Sequence, residues 1–426
     1  MENGAVTERT DDDPARLGLA RWLTDREATG PLTGAATAVA RHPRDPLAAA
    51  AALRRGLPEL APDRAAAVLE QADLGRLAGE RYGIDTGGGL LLTRDGLEQA
   101  TRPEVAARRA RLLRDAGARR VLDITGGLGF DAAAFLAAGL TVTVVERDPV
   151  TATLLAHNCP DAVVVADDIT GSGVLDALLA PLDERDVVFA DPARRDPLGP
   201  RGTTSARARP ERDPARWSPA WDFVEAIGHP RVTAKVAPAF TPPPGWQAEW
   251  TSVDRTVVEC AVHSWPLNPA ARRAVVLSGD SPTVVDADDE SPRLPVATHL
   301  HAWLHEPDPA VQRARVVGSL RELDDSLEAV DPESSWLTGD RPSTSAAYRS
   351  HLVVEELTGS PRAQGRRLAG LGVRRLTVKS RDVAADPRRT LRDLGVAEGP
   401  GLVLVLTRRE GRVVSVLAEP AAARPA

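Results

Sequence analysis

The sequence predicts an α/β protein in which a mainly parallel sheet follows a helical region and precedes a smaller α/β domain. Residues 14–117 are rich in alanine and leucine and contain repeated helix start and stop signals. From residue 121 onward, short β-branched runs alternate with helical segments, which is typical of a parallel sheet covered by helices. At 426 residues the chain is too long for one ordinary core, so we expect more than one domain.

The helical region is recognised from its capping residues. The segments DPLAAAAALRRGL and PDRAAAVLEQADLGRLAGERYG start with Asp-Pro or Pro-Asp and stop near glycine. In TRPEVAARRARLLRDAG, Thr101 is a suitable N-cap, Glu104 follows three residues later, and Gly117 can end the helix. We therefore expect helices up to residue 117, just before the first strand.

The strands of the central domain are predicted from the runs VLDI, TVTVVE, AVVVADD, DVVFADP, RVTAKVA, TVVECAVHSW and RRAVVL. A polar, acidic and proline-containing stretch follows and predicts a linker. The chain then ends in a predicted strand pair, GLVLVLT and RVVSVLAE. The predicted segments are residues 1–13 (disordered tail), 14–117 (helical region), 118–278 (central domain), 279–297 (linker) and 298–420 (C-terminal α/β domain).

Composition and charge limit the classes of function. A hydrophobic content of 42% and a charged content of 27% are typical of a soluble globular protein. The formal net charge of −7 gives no reason to expect the whole protein to bind nucleic acid. Residues 361–395, however, hold nine arginines and Lys379 against three aspartates, a local excess of seven positive charges. Because Lys235 and Lys379 are the only lysines among 53 basic residues, abundant arginine is weak evidence for a phosphate site.

The sequence indicates no metal site and no membrane partner. Cys159 and Cys260 lack CxxC or Cys/His spacing, so they predict neither a disulfide framework nor a zinc site. There is no run of about 18 apolar residues and no signal-peptide pattern. We therefore expect a cytoplasmic protein, and the sequence does not predict its oligomeric state.

A glycine loop is the first candidate ligand site. Gly127-Leu-Gly129-Phe-Asp-Ala132 fits the G-x-G-x-x-[GA] fingerprint of dinucleotide sites, with Glu146 further along the chain. S-adenosylmethionine (SAM) is the second possible ligand. Asp123 favours SAM, because its carboxylate can bind the ammonium of the methionine moiety but would repel a pyrophosphate. The alternative is a purely structural role, in which the glycines form a tight turn and the acids cap helices.

Acidic residues also follow the other predicted strands. Glu146 can accept hydrogen bonds from both ribose hydroxyls, and Asp167 or Asp168 can accept one from the adenine amine. Asp191 follows the fourth strand, so these acids lie at the carboxyl ends of strands, where open α/β sheets bind ligands. The candidate cofactor-binding residues are Asp123, Thr125, Gly126, Gly127, Gly129, Glu146, Arg147, Asp167 and Asp168.

The core resembles a class I SAM-dependent methyltransferase, and the whole chain is similar to bacterial methyltransferases with a C-terminal THUMP-like domain. The resemblance rests on LLTRDGLEQATRPEVAARRA, LDITGGLGFD, VVERDP, ADPARRD and LGVRRLTVKSRDVAADPRRTLRDLG, within residues 90 to about 420. It implies a Rossmann-like sheet of seven strands, the last one antiparallel, with SAM as methyl donor. By analogy with true THUMP domains, it also implies an RNA-type substrate.

The acid-proline turn at Asp191-Pro192 is the candidate for the chemistry. Methyl transfer from a sulfonium mainly requires correct placement of donor and acceptor, and the Asp191 carboxylate can accept a hydrogen bond or a proton. Amino-methylating enzymes have Asn/Asp-Pro-Pro-aromatic where this chain has Asp-Pro-Ala-Arg, so the base-stacking aromatic is missing. Arg194 can bind a substrate phosphate or carboxylate, or form a surface ion pair. The candidate catalytic residues are Asp191, Pro192 and Arg194.

The expected activity is methyl transfer from SAM to a nucleophilic atom of structured RNA (tRNA or rRNA). In this interpretation the basic C-terminal domain delivers the RNA through its phosphates and shape. A methyltransferase acting on a protein or a small molecule is one alternative. A non-catalytic module that binds SAM or RNA is another, and the sequence does not name the methylated atom.

Overall fold

The structure is a computed structural model that describes residues 14–84, 89–194, 211–279 and 281–421. The predicted tail, residues 1–13, lies outside the described residues. The chain divides into two compact units, residues 1–235 with 263–267 and residues 236–262 with 268–426. This division differs from the predicted domain boundaries, which remain sequence predictions.

The first unit begins with the helices predicted from the caps. Asp45 accepts a hydrogen bond from the Ala48 amide at 2.9 Å and so caps the third helix. Gly83 ends the fourth helix with a left-handed φ of +64°, a conformation that favours glycine. The helices are α1 (Pro14–Leu23), α2 (Thr29–Arg41), α3 (Pro46–Gly56), α4 (Pro62–Tyr82), α5 (Arg94–Glu98) and α6 (Pro103–Asp115).

A parallel sheet follows these helices in the first unit. Its strand order is β3-β2-β1-β4-β5, and every pair among these strands is parallel. The strand order turns back beside β1, so a topological switch point lies between β1 and β4. The elements are β1 (Arg120–Asp123), α7 (Phe130–Ala137), β2 (Thr141–Val145), α8 (Pro149–Asn158), β3 (Val163–Val165), α9 (Val174–Leu179), β4 (Val187–Ala190), α10 (Trp221–Glu225) and β5 (Val232–Val236).

The central strands of this sheet are buried, as expected for a sheet covered by helices. All residues of β4 and of β5 are buried. On one face Phe135 of α7 meets Phe189 of β4 edge to face, with ring centroids 5.2 Å apart. This packing holds α7, which directly follows the glycine loop, against β4 beside the switch point.

The second unit contains four further strands in the order β7-β6-β8-β9. These are β6 (Gln247–Val253), β7 (Thr256–His263), β8 (Arg272–Leu277) and β9 (Thr283–Ala287). Strand β6 was not predicted from the sequence, because its residues QAEWTSV mix polar and apolar types although six of the seven are buried. Strand β9 lies within the predicted linker and pairs antiparallel with β8, so that segment is not all loop.

The rest of the second unit forms a separate sheet with strand order β11-β12-β10-β13-β16-β15-β14. The predicted final strand pair is confirmed, with Glu410 and Gly411 at φ of +50° and +71° in the tight turn. The elements are β10 (Trp303–Pro307), α11 (Pro309–Ala314), β11 (Glu328–Ala329), β12 (Leu337–Gly339), β13 (Tyr348–Leu357), α12 (Pro361–Gly370), β14 (Arg375–Ser380), α13 (Pro387–Leu394), β15 (Ala397–Arg409) and β16 (Arg412–Pro420).

Helices α12 and α13 pack together on this second sheet. Leu368, Leu391 and Leu394 are buried in the apolar cluster beneath them. A Cβ at Gly365 would lie 2.4 Å from the Leu394 carbonyl oxygen, so the close approach of the two helices requires glycine there. Within the ranges described above, no helix combines the length and apolar character needed to cross a bilayer.

Candidate active site

The carboxyl ends of the parallel strands bring the predicted acids to one edge of the sheet. Asp123 is the last residue of β1, and Asp191 directly follows β4, its neighbour in the sheet. Glu146 directly follows β2, and Asp167 follows β3 by two residues. This edge, beside the switch point, is where open α/β sheets bind ligands.

The glycine loop between β1 and α7 is shaped by close contacts. A Cβ at Gly126 would lie 2.3 Å from a methyl group of Val144, so the loop can pass over β2 only without a side chain there. Gly129 has a φ of +85°, and a Cβ there would lie 2.5 Å from Leu155. The turn therefore requires these glycines for its own geometry, and α7 starts directly after Gly129.

Glu146 is hydrogen-bonded to the backbone of the glycine loop. One carboxylate oxygen accepts a hydrogen bond from the Gly127 amide and the other from the Asp148 amide, each at 2.8 Å. Burial raises the pKa of the Glu146 carboxyl above its usual value. The sequence predicted a ribose-binding role for Glu146, and these two backbone contacts are an addition to that role.

Asp123 is a buried carboxylate, with 1% of the residue exposed. It accepts a hydrogen bond from the Thr125 amide at 2.9 Å, and the Thr125 hydroxyl accepts one from the Asp191 amide at 2.6 Å. Burial is the main cause that raises the pKa of Asp123 to about 7, and the charges of Asp131 and Asp191 add to the shift. The charges that act most strongly on this carboxylate are therefore negative.

A buried lysine that the sequence analysis did not assign to the site connects three of its oxygens. Lys235 Nζ lies 2.5 Å from Asp191 Oδ2, 2.6 Å from the Thr101 hydroxyl and 3.5 Å from Asp131 Oδ2. The Thr101 hydroxyl in turn donates to Asp131 at 2.6 Å. The predicted capping role of Thr101 is wrong, because Arg102 holds the N-cap position of α6 and this helix has no side-chain cap.

Arg109 of α6 completes the cluster by pairing with Asp131 in the first turn of α7. Its guanidinium carbon lies 5.1 Å from the centroid of the Phe189 ring. Burial alone would raise the pKa of Asp131, but Lys235 and Arg109 hold it below its usual value. When its three aspartates are ionised, the acidic cluster, defined as Asp123, Asp131, Asp191, Arg109 and Lys235, has a net charge of −1.

The remaining predicted cofactor residues lie toward the surface. Asp167 is exposed and accepts a hydrogen bond from the Asp168 amide at 2.8 Å. Asp168 accepts bonds from the Thr170 hydroxyl and amide, and the hydroxyl bond is the main cause that lowers the pKa of Asp168. Arg147 is exposed and forms no ion pair with another described residue. The structure thus brings these three residues to the sheet edge but not into the acidic cluster.

Two predicted catalytic residues flank the Asp191 turn. Pro192 is buried, and Arg194 is half-buried with its carbonyl bonded to the Glu211 amide at 2.8 Å. Ala193 pairs with Ser218 in an isolated antiparallel bridge, which holds the turn in place. Within the described part of the chain, the Arg194 side chain has no ion-pair partner.

Two family models match the chain. One, described as "Putative SAM-dependent methyltransferase", matches residues 91–193, which include the glycine loop and Asp191. The other, described as "THUMP domain-like", matches residues 348–420, which include α12, α13 and the last four strands. Both parts of the resemblance inferred from the sequence are thereby confirmed.

Individual relatives agree with these matches. The ribosomal RNA small subunit methyltransferase J of Alkalilimnicola ehrlichii is 31% identical over 246 residues, covering 49% of this chain and 89% of the relative. A solved structure, "putative methyltransferase from Porphyromonas gingivalis W83", is 19% identical with a TM-score of 0.70, covering 96% and 99% of the two chains. That likeness shows the fold and confirms the predicted α/β class. The chain therefore belongs to the SAM-dependent methyltransferases, takes its methyl group from SAM and carries a THUMP-like domain.

Proposed function

We propose that this methyltransferase acts on a structured RNA, either tRNA or rRNA, and that the acidic cluster and glycine loop form its SAM site. The observation that carries the substrate class is the alignment with a ribosomal RNA methyltransferase over 89% of that relative's length. A set of exposed arginines in the second unit supports it independently. An RNA substrate of this kind would place the enzyme in the cytoplasm.

The charge of the acidic cluster fits SAM. SAM carries an ammonium, a sulfonium and a carboxylate, so its net charge of +1 would balance the net charge of −1 of the cluster. Asp123 is the group that would bind the ammonium, because it is buried and the charges acting on it are negative. A dinucleotide would add the negative charge of its pyrophosphate to the same cluster, which is unfavourable.

Glu146 and the loop would hold the nucleoside part of SAM. Each oxygen of Glu146 accepts one backbone hydrogen bond and keeps a lone pair for a ribose hydroxyl. A Cβ at Gly127 would meet no heavy atom within 4 Å, so the loop is open at that residue. We assign Thr125, Gly126 and Gly129 to the shape of the loop, Asp167 to the adenine amine, and Arg147 and Asp168 to the rim.

Asp191 would contact the acceptor. When bound, SAM supplies a methyl group on a sulfonium that is already a good leaving group, so the protein has mainly to position the acceptor and exclude water. The Asp191 side chain is 25% exposed, which is enough for one carboxylate oxygen to reach a substrate group. Buried Pro192 fixes the turn, and half-buried Arg194 would bind a substrate phosphate.

The nine arginines of residues 361–395 divide into those with a partner and those that contact no carboxylate of the described residues. Arg367 donates to both oxygens of Glu355, and Arg375, Arg381 and Arg389 also have partners in the second unit. The exposed side chains of the other five contact no carboxylate of the described residues; these are Arg362, Arg366, Arg374, Arg388 and Arg392. We call these five the arginine face.

The arginine face has a regular arrangement. Arg362 and Arg366 are one helical turn apart on α12, and Arg388 and Arg392 are one turn apart on α13. The apolar sides of both helices are fixed on the sheet, so each helix presents its arginines to solvent. Rows of unpaired arginines on two packed helices suit the phosphates of a folded RNA.

The test is transfer of a labelled methyl group. The protein is incubated with SAM labelled in the methyl group and, separately, with total RNA, total protein and a small-molecule extract. We expect label in RNA. If label appears only in protein or only in a small molecule, that class is the substrate and the proposal of an RNA substrate is wrong. No label in any fraction, with SAM bound in a calorimeter, would favour a non-catalytic binding module.

A further inference from the structure

Lys235 is buried in the first unit and contributes to the charge of the acidic cluster, but no direct contact with SAM is assigned to it above. Its Nζ lies 2.5 Å from Asp191 Oδ2, 2.6 Å from the Thr101 hydroxyl and 3.5 Å from Asp131 Oδ2. A compact ammonium can direct three donors from one nitrogen, whereas a guanidinium spreads its donors over a planar fork. The chain has only two lysines among 53 basic residues, and one of them stands where three oxygens surround a single nitrogen.

The two oxygens of Asp191 are in different situations. Oδ2 is bound by Lys235, and the backbone of Asp191 is held by its hydrogen bond to the Thr125 hydroxyl at 2.6 Å. No described residue donates a hydrogen bond to Oδ1. One oxygen is therefore fixed by the protein, while the other remains available on a side chain that is 25% exposed.

The same lysine connects Asp191 to the glycine loop. Asp131 lies two residues after Gly129, in the first turn of α7, and receives hydrogen bonds from Thr101 and Lys235. Arg109 pairs with the second oxygen of Asp131, so this carboxylate is bound on both sides. The loop that precedes α7 and the acid that follows β4 are thus held by one hydrogen-bonded network.

We propose that Lys235 is a positioning residue: it fixes one oxygen of Asp191 relative to the glycine loop, so that the other accepts a hydrogen bond from a proton-bearing acceptor. This rests on the proposed function and narrows the acceptor to an amine or a hydroxyl of the RNA. A ring nitrogen that offers only a lone pair has no proton for a carboxylate and would be repelled by it.

The experiment compares variants that change the charge or the geometry at residue 235. Lys235→Arg keeps the charge but moves the donors, and Lys235→Met removes the charge at similar length. For both we expect kcat for methyl transfer to RNA to fall about 100-fold, the scale of a misplacement of about 1 Å. For Lys235→Arg, which keeps the charge of the acidic cluster, we expect the KM for RNA, the Kd for SAM measured by calorimetry and the melting temperature to stay near those of the wild type.

Chemical rescue separates positioning from a purely structural role. Lys235→Cys treated with 2-bromoethylamine regains an ammonium at nearly the original position, and kcat should recover to within about tenfold of the wild type. Wild type treated with the same reagent is the matched control for reaction at Cys159 and Cys260, which are buried as residue 235 is, and mass spectrometry confirms which positions carry the aminoethyl group.

Three results would overturn the inference. They are full kcat in Lys235→Arg, a loss of SAM affinity as large as the loss of kcat, and a folded Lys235→Cys that is shown to be aminoethylated but does not regain kcat. Wild-type transfer to RNA is measured first, and its absence would overturn the proposed function together with the inference. Normal wild-type transfer that Lys235→Arg retains in full would overturn only the inference.

Discussion

The two lysines of the chain each bind a carboxylate, but the two pairs differ in how completely the carboxylate is enclosed. In the first unit, Lys235 Nζ lies 2.5 Å from Asp191, whose side chain is 25% exposed. In the second unit, Lys379 Nζ lies 2.5 Å from Glu306, whose side chain is 4% exposed. The ion-pair distances are equal, so distance alone does not distinguish the roles of the pairs.

The partners of Glu306 explain the difference. Arg381 binds one of its oxygens at 2.9 Å, and Arg255 shares the other with Lys379 at 3.3 Å. Burial alone would raise the pKa of the Glu306 carboxyl, but His351, Lys379 and Arg255 hold it well below its usual range. Both oxygens are occupied by the protein, so this pair stabilises the second unit and leaves no acceptor for a ligand. Asp191 keeps one, which is what an acceptor-side acid requires.

The largest expected effect on stability is at Glu306. Glu306→Gln leaves Lys379 and Arg381 without a buried counter-ion and removes one of the two carboxylates beside Arg255, so we expect the free energy of unfolding to fall by about 3–5 kcal/mol. Denaturant unfolding measures it. The control is Glu355→Gln, which breaks an exposed pair with Arg367 and should cost no more than about 1 kcal/mol. Equal losses of unfolding free energy in the two variants would mean that the burial of the carboxylate does not determine how much an ion pair stabilises the fold.

Replacing Asp123 by its amide should raise the stability of the protein, whereas the same replacement at Glu306 should lower it. Its pKa is raised from 3.8 to about 7 in the folded protein, so the folded state holds this proton more tightly than the unfolded chain. Its contribution to the free energy of unfolding therefore falls as the pH rises from about 4 to about 7. Asp123→Asn, which keeps an acceptor for the Thr125 amide, should melt at a higher temperature than wild type at pH 8, without SAM. This advantage should shrink as the pH falls toward 4.

The same substitution should weaken SAM binding. Loss of the ionised partner of the ammonium should cost about 1.5–3 kcal/mol, or roughly 10- to 150-fold in Kd. For the same reason, wild-type affinity for SAM should decline as the pH drops below about 7, where Asp123 takes up its proton. Calorimetry at pH 6 and pH 8 checks both effects. Unchanged affinity in Asp123→Asn would place the ammonium elsewhere.

Glu146 lies between these two cases, because each of its carboxylate oxygens accepts one backbone hydrogen bond and can accept another. Glu146→Ala should weaken SAM by about 1.5–3 kcal/mol through loss of charge-assisted hydrogen bonds to the ribose. Since the variant also frees the Gly127 amide, the control ligand is methionine, which lacks the ribose. A variant that loses methionine and SAM affinity equally would show that Glu146 acts only by shaping the loop.

The smallest expected effect extends the comparison to the arginines. Arg366 and Arg367 are adjacent and exposed, but only Arg367 is paired, with Glu355 at 2.8 Å. Arg366→Ala should weaken RNA binding for all sequences and reduce the slope of log affinity against log salt by about 1. Arg367→Ala should change that slope less. Equal changes, or an affinity that does not depend on salt, would remove the arginine face as the RNA-binding surface.

Much of the fold could be predicted from the sequence, because its signals are local. Helix caps such as Asp45 and the β-branched runs of the first five strands act over a few residues, and the structure has helices and strands there. The final hairpin was predicted for the same reason. Strand β6 was missed because its residues are buried through tertiary packing that polar letters such as Gln247 and Glu249 do not reveal.

The candidate site was predicted only where residues follow one another along the chain. Asp123, the glycines and Asp191 lie in short motifs at strand ends. The contacts of Lys235 with Thr101 and Asp131 span 134 and 104 residues, and no local pattern encodes such distances. A compositional signal did exist, since a lysine is rare in this chain, but it becomes meaningful only when the structure shows three oxygens around Nζ.

The measurement that tests the central claim most directly compares Asp191→Asn with Glu306→Gln. Both variants replace a lysine-bound carboxylate by its amide, and each is assayed for melting temperature and for methyl transfer to RNA per molecule of folded, SAM-binding enzyme. We predict that Asp191→Asn loses transfer at least about 100-fold with a nearly unchanged melting temperature. Glu306→Gln should instead melt at a lower temperature and keep its transfer rate. Normal transfer by Asp191→Asn, or loss of transfer by folded Glu306→Gln, would contradict the account.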